Sequence, residues 1–158
     1  MCMNRVSLPI KDVIRENSAF LLTYAMSLEP IQTLVTMTLR GSFERFRQTA
    51  LEVTRQRAER SCIELAVLVR YLLDEEQVGL GTDQVDFGEV SYDGNKPETL
   101  TLREVANKII HARAFTWDTS RYRGHPELIC APRDKQRWKE ARIDVVALAI
   151  ACGSIEGS

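Results

Sequence analysis

The chain has 158 residues, of which 44% are hydrophobic and 27% charged, which is typical of one globular domain and not of a disordered protein. Its formal net charge of −1 provides no overall attraction to nucleic acid or to an acidic surface. The apolar stretch at residues 19–26 is too short to span a bilayer and lacks a signal-peptide pattern, so we expect a cytoplasmic protein without a membrane partner.

The first part of the chain has helical patterns of unequal clarity. Residues 1–17 are weakly patterned and are interpreted as a lead-in segment, and residues 19–28 fit either a strand or a buried helix. Pro30 suits the first turn of a helix, and apolar residues then recur at helical spacing. Gly41 breaks that helix, and Ser42 is a natural N-cap for the next one.

Residues 43–77 contain neither proline nor glycine and form the longest predicted helix. The second half, residues 62–73, is apolar nearly all round, which predicts a central helix enclosed by others. Arg70 and Asp74 lie four residues apart there, so we expect them to form a structural ion pair.

Charge changes sign after this helix. Residues 74–98 hold eight acids and one base, whereas residues 103–125 hold five bases and two acids, so a local basic face is compatible with the neutral total. The acidic stretch at 80–97 is interpreted as a loop with a short strand at 85–90 and a turn at Asp93-Gly94-Asn95.

A clear helix start follows at Thr101 and Glu104, which have the spacing of a capping box. The helix is predicted to begin at Leu102 and to run to about Arg113. One face is apolar, and the opposite face is polar. The residues of the polar face are Arg103, Glu104, Asn107, Lys108 and His111.

The C-terminal part contains the predicted hairpin. After a loop rich in aromatic and basic residues, the segments 127–131 and 138–145 read as two strands, and residues 145–152 as a terminal helix. The sequence therefore predicts a mainly α fold, a bundle of four to five helices with a small β-hairpin near the C-terminus, in a single domain over residues 1–158.

The candidate chemistry is limited to one region. No cluster of metal ligands and no phosphate-binding or nucleophile motif occurs, so neither a metal nor a cofactor is expected. His111 lies one turn after Asn107 on the polar face, where an imidazole can transfer a proton during RNA cleavage. Basic and aromatic residues that could contact RNA follow closely. These nucleic-acid-binding candidates are Arg113, Arg121, Arg123 and Trp117.

Interpretations without a functional role for the same residues also remain open. A histidine on a polar helix face is commonly just solvated, and loop aromatics commonly anchor the loop in the core.

The segment TLREVANKIIHA, residues 101–112, resembles the signature helix of the HEPN superfamily. This resemblance implies a helical bundle that dimerises, and a metal-independent ribonuclease of a toxin–antitoxin, CRISPR or abortive-infection (phage defence) system. His111 matches the family's catalytic histidine and Asn107 its polar position. The family's arginine, with four to six residues between it and the histidine, is missing, and Arg103 falls one position outside that window. Either an arginine from elsewhere or from a partner subunit serves, or cleavage has been lost.

Two functional hypotheses follow. In the first, the chain is a HEPN-like RNA-associated protein or ribonuclease in which His111, Asn107 and Arg103 form the catalytic set. In the second, the same domain is a non-catalytic protein-interaction or regulatory module, with the polar helix face and residues 74–98 as its surfaces. Whether the chain is an enzyme is left open, and the expected partners are a second copy, RNA or another protein.

Overall fold

The computed structural model describes residues 10–38, 43–75, 84–120, 125–134 and 137–155. These residues form four helices and five strands. In chain order they are α1 (Ile10–Thr38), α2 (Phe43–Asp74), β1 (Gly88–Ser91), β2 (Glu98–Thr99), α3 (Leu102–Ile110), β3 (Ala112–Asp118), β4 (Glu127–Pro132), β5 (Glu140–Asp144) and α4 (Val145–Gly153).

The five strands form one antiparallel sheet in the order β2-β1-β5-β4-β3. The prediction of a mainly α bundle with a small hairpin is therefore wrong, because the fold is a mixed α/β structure with a substantial sheet. The predicted hairpin exists as β4 and β5, but it forms the middle of the sheet. Strand β1 overlaps the short strand predicted at 85–90, whereas no strand is predicted for β2 or β3.

Strand β3 shows how this prediction failed. The helix predicted to run to about Arg113 ends at Ile110, and the chain turns directly into β3. Phe115 and Trp117 lie opposite Cys130 and Leu128 of β4, so alternate residues of β3 face the core. This period of two is short and lies beside a basic segment, which made it look like a loop.

Helix α1 is longer than the sequence indicated. It begins at Ile10, so residues 10–17, interpreted as part of the lead-in, are helical. Pro30 lies inside α1 and not in the first turn of a separate helix, so that prediction is wrong. A proline in a helix interior removes one backbone hydrogen bond. The preceding turns of α1 pack on the core through Leu21, Ala25 and Leu28. Ser42, the expected N-cap of α2, lies outside the described residues.

Helix α2 confirms the longest predicted helix, and it ends at Asp74 in the described part of the chain. The predicted pair of Arg70 and Asp74 is confirmed, with Nε to Oδ2 at 2.9 Å. The expectation that residues 62–73 are enclosed on all sides is wrong. Ile63, Val67 and Tyr71 are 42%, 50% and 47% exposed, because packing partners cover only the opposite side of the helix.

The core joins the helices to one face of the sheet. Strand residues Val90, Leu128 and Ile143 are buried in the same apolar cluster as Leu21 of α1 and Leu65 of α2. Helix α4, correctly predicted from its apolar run, contributes further buried residues, and its N-cap is Asp144, whose side chain accepts a hydrogen bond from the backbone of the first turn. The other face of the sheet is left partly open to solvent.

That outer face carries a cluster of charges around Arg142 of β5. Its guanidinium donates to Glu127 Oε2 at 2.9 Å, to Glu140 Oε1 at 3.3 Å and to Asp118. Hydrogen bonds from Ser120, followed by that from Arg142, lower the pKa of Asp118 to about 2. We call Asp118, Glu127, Glu140 and Arg142 the sheet-face cluster.

Candidate functional site

The N-terminus of α3 has the capping box that its sequence predicted. Thr101 Oγ1 accepts from the backbone N–H of Glu104 at 3.3 Å, and the backbone N–H of Thr101 donates to Glu104 Oε2 at 2.8 Å. The apolar side of α3, with Val105 and Ile109, is buried. This packing directs the opposite side, which carries the predicted functional residues, toward α2 and solvent.

Asp74 at the end of α2 joins the two helices. It accepts hydrogen bonds from Arg70 of its own helix and from Arg103 of α3. Arg103 also donates to the carbonyl oxygen of Leu73 at 2.9 Å, which satisfies a group at the helix C-terminus. The hydrogen bonds from Arg70 and Arg103 lower the pKa of Asp74, so its carboxylate is ionised at neutral pH.

Asn107 belongs to the same contact. Its side-chain oxygen accepts a hydrogen bond from Nη1 of Arg70, which reaches it across 37 positions of sequence. Arg70 therefore bridges Asp74 and Asn107. We call Arg70, Asp74, Arg103 and Asn107 the α2–α3 cluster. Sequence reasoning found the Arg70–Asp74 pair but missed the link to α3, because spacing along one helix carries no signal about a neighbouring helix.

His111 lies next to this cluster but does not join it. It is the C-cap of α3, where its backbone N–H donates to the carbonyl oxygen of Asn107 at 3.0 Å. Its side chain is exposed and has no hydrogen-bond partner within the described ranges. Of the three predicted catalytic residues, Arg103 and Asn107 are thus brought together, and His111 stays in solvent at the helix end.

The predicted RNA-contacting residues are not gathered on one surface. Arg113 is exposed in β3, where the register with β4 shifts. Trp117 faces the core side of the sheet and packs edge-on against Tyr24 of α1, with ring centroids 5.0 Å apart. Its Nε1 is buried without an oxygen or nitrogen acceptor in the described structure. Arg121 and Arg123 lie outside the described residues.

Tyr24 and Trp117 also line a groove between α1, α2 and β3. Two adjoining cavities of about 390 Å³ and 190 Å³ share Tyr24, Leu28 and Leu51 as walls. Burial raises the pKa of Tyr24 to about 12, so its hydroxyl stays protonated at neutral pH. Arg55 at the wall is already bonded to Glu52 and Glu59. Among the described residues that line it, the groove therefore offers apolar contact but no charged side chain beyond Arg55.

The Lys108 side chain of α3 contacts aromatic rings that are distant along the sequence. Its ammonium lies 4.7 Å from the ring centre of Trp138 and 5.4 Å from that of Tyr92. Desolvation lowers its pKa. This arrangement is typical of a cation–π contact, which anchors α3 on the loops beside β1 and β5. The sequence held no signal for it, because the two rings are far from Lys108 along the chain.

A row of exposed apolar side chains lies on α2. Ile63, Val67 and Tyr71 are spaced by four residues, so their side chains follow one line along the helix. Arg60 and Asp74 continue that line at its two ends. We call these five residues the α2 stripe. Soluble monomers bury most aligned apolar residues, and an exposed row commonly marks a contact surface.

The described residues hold no group of three or more side chains suited to bind a metal ion. Among the helices of that part of the chain, none combines the length and the apolar character that crossing a bilayer requires. No family model, curated protein or solved structure matches the chain.

Proposed function

We propose that this chain is a non-catalytic protein-interaction module that uses the α2 stripe as its binding surface. The observation that carries this proposal is the row of Ile63, Val67 and Tyr71, each more than 40% exposed on the part of α2 whose opposite side is buried in the core. Apolar side chains in a row gain free energy when a partner removes them from water, about 25 cal/mol for each Å² of apolar surface. We also propose that the chain is located in the cytoplasm.

The state of the predicted catalytic residues supports the same function. Arg103 is engaged by Asp74 and Leu73, and Asn107 by Arg70. These hydrogen bonds give both side chains a structural role in joining α3 to α2. These bonds use Nη1 and Nη2 of Arg103 and Oδ1 of Asn107, so a phosphate group could be offered only the N–H donors that they leave.

A photo-crosslinking experiment in the cells that naturally produce the chain tests this function. Tyr71 is replaced by the photoreactive aromatic residue benzoylphenylalanine. The same replacement at Lys96, which is exposed in the β1–β2 turn, serves as the control. Irradiation should give a discrete adduct from position 71 and none from position 96. The absence of any adduct from position 71 would reject the interaction module.

A metal-independent ribonuclease or RNA-binding protein of a defence system is the second candidate. Arg70 favours it, since this arginine from another helix lies on Asn107, beside the position where the HEPN pattern lacks its own arginine. His111, exposed one turn further along, would then transfer the proton. In this function the α2–α3 cluster would hold the phosphate.

RNA cleavage by the purified chain without added metal separates the two candidates. The second candidate predicts cleavage that His111→Ala abolishes, because no other group at that position can transfer the proton. His125→Ala is the matched control, as His125 is also exposed but is hydrogen bonded to Asp144 on the sheet. Intact RNA with the unsubstituted, folded chain would exclude the ribonuclease.

A further inference from the structure

We propose that the outer edge of β3 is a second binding site, which takes an extended peptide segment of a partner protein as an additional strand of the sheet. The peptide carries apolar side chains at alternate positions, and these fill the groove between α1, α2 and β3. The site is separate from the α2 stripe, because its α2 wall, at Leu51 and Arg55, precedes the stripe along the helix. Neither site depends on the other.

The two edges of the sheet differ in length. The strand order β2-β1-β5-β4-β3 makes β2 and β3 the edge strands. Strand β2 has two residues, whereas β3 has seven and pairs with β4 on one side. No second strand in the described part of the chain pairs with β3. In a strand that is paired on one side, alternate backbone N–H and C=O groups point away from the sheet and can pair with another extended chain.

The residues of β3 do little to block this edge. Exposed edges are commonly protected by lysine, by proline or by a bulge. Strand β3 contains neither lysine nor proline, and its register shift with β4 is confined to the start, between Ala112 and Ala114. From Ala114 to Asp118 the register is continuous, and the small side chains of Ala114 and Thr116 are exposed. This regular part of β3 can therefore pair with a further strand.

The larger cavity of the groove extends to the same edge. It has a volume of about 390 Å³ and is lined by three consecutive residues of β3, namely Phe115, Thr116 and Trp117. Successive side chains of a strand point to opposite faces of the sheet, so a cavity confined to the core face would be lined by Phe115 and Trp117. The contact with Thr116 indicates that the cavity reaches the strand edge. A strand added to β3 would direct every second side chain into it.

The walls of the groove favour uncharged, apolar side chains. Tyr24 and Leu28 of α1 and Leu51 of α2 line both the larger cavity and the adjoining one of about 190 Å³. An apolar cavity of about 150 Å³ in another protein holds one benzene molecule, so the smaller cavity has room for one aromatic or branched side chain. Arg55, the only charged residue among the described lining residues, is already bonded to two carboxylates.

The edge beside the groove favours a peptide over a small molecule. An extended backbone presents donors and acceptors at the spacing of the unpaired groups of β3, and its alternate side chains reach one face of the sheet. A small apolar molecule could fill the groove but would leave these backbone groups unused. The juxtaposition of a regular strand edge and an apolar groove therefore identifies an extended peptide as the occupant.

Selection from a phage-displayed library of random linear heptapeptides on the purified chain tests the site. Enriched peptides should carry apolar residues at alternate positions. Leu51→Glu, which places a charge in the apolar wall, should weaken their binding at least about tenfold, as measured by fluorescence anisotropy of the labelled peptides. Val53→Glu is the matched control, since Val53 is 57% exposed on the same helix and does not line the groove. A selection without alternating peptides, or equal binding to both variants, would overturn the proposal.

Backbone N-methylation of an enriched peptide separates strand addition from binding through side chains alone. Each methyl group removes one N–H donor and leaves the side chains unchanged, and the chain itself needs no substitution. One version is methylated at the odd-numbered peptide residues and another at the even-numbered ones. The version methylated on the side that faces β3 should bind about tenfold more weakly, and the other should keep its affinity. Equal affinities of the two versions would contradict strand addition.

Hydrogen exchange measured by NMR locates the added strand. The enriched peptide should slow the exchange of alternate amides between Ala114 and Asp118 and leave those of Glu98 and Thr99 in β2 unchanged. Slower exchange at residues 63–71 without any change in β3 would place the peptide on the α2 stripe and overturn this site. Slower exchange in β3 when the chain alone is concentrated would identify a second copy as the added strand, which also overturns the proposal.

Discussion

Two clusters of charged side chains, one centred on a carboxylate and the other on a guanidinium, hold different parts of this molecule together. In the α2–α3 cluster one carboxylate, Asp74, lies between Arg70 and Arg103 and joins two helices. In the sheet-face cluster one guanidinium, that of Arg142, lies among three carboxylates and joins strands β3, β4 and β5. The first has an excess of positive charge and the second an excess of negative charge.

The carboxylates of the two clusters differ strongly in their exposure to solvent. The Asp74 side chain is 48% exposed, whereas the Glu127 side chain bonded to Arg142 is only 3% exposed. Water can therefore solvate the α2–α3 cluster if a partner is lost, but it cannot reach Glu127. The comparison teaches that similar hydrogen bonds contribute differently to stability, because the cost of breaking them depends on whether water can replace the lost partner.

The largest expected effect is that of Arg142→Leu. This change removes the guanidinium of Arg142 from the buried Glu127 carboxylate, and we expect the free energy of unfolding to fall by about 3–5 kcal/mol. Urea denaturation at pH 7 measures the loss. The double variant Arg142→Leu with Glu127→Leu should recover much of it, since the buried Glu127 carboxylate is then removed as well. A single variant as stable as the unsubstituted chain would show that water solvates this cluster too.

A smaller effect is expected from Thr101→Ala, which removes the N-cap that positions α3 and therefore Arg103 and Asn107. Loss of a threonine cap costs about 1 kcal/mol, which urea denaturation also measures. Thr99→Ala, an exposed threonine of β2 without a capping role, is the control. If both variants lose the same free energy, the cap does not hold α3 in place.

The smallest effect is expected from Asp74→Asn, because its two arginine partners are open to solvent. The pKa of Asp74 is lowered in the folded chain, so the ionised carboxylate stabilises the fold above the unfolded-state value of about 3.9. This contribution is lost as the pH falls through the lower, folded-state pKa. The variant should thus be less stable than the unsubstituted chain at pH 7, and the two urea midpoints should converge under strongly acidic conditions. A difference independent of pH would contradict the role of the charge.

Local sequence signals predicted several elements well. The capping box at Thr101 and Glu104 set the start of α3, and the uninterrupted run from Phe43 predicted α2. The strand patterns at 127–131 and 138–145 and the apolar run of α4 were also sufficient. Each of these signals lies within one element, and the energies behind them act between residues that are close along the chain.

The candidate site was predicted only in part. The polar side of α3 was identified, but its contact with Arg70 was not, because 37 residues separate Arg70 from Asn107. Helix α2 looked enclosed from residues 62–73, although one side is exposed. Periodicity indicates which residues could be buried, but it does not show how many neighbours are present to bury them.

By itself the sequence determined where most helices and the two central strands lie, since capping and periodicity are local properties of the chain. Only the tertiary structure decided that β1, β2 and β3 extend the hairpin to a five-stranded sheet. It also decided that Arg103 and Asn107 bind α2 and that the α2 stripe faces solvent. Strand pairing and side-chain contacts join residues that are distant along the chain, so the local pattern does not specify which segments come together.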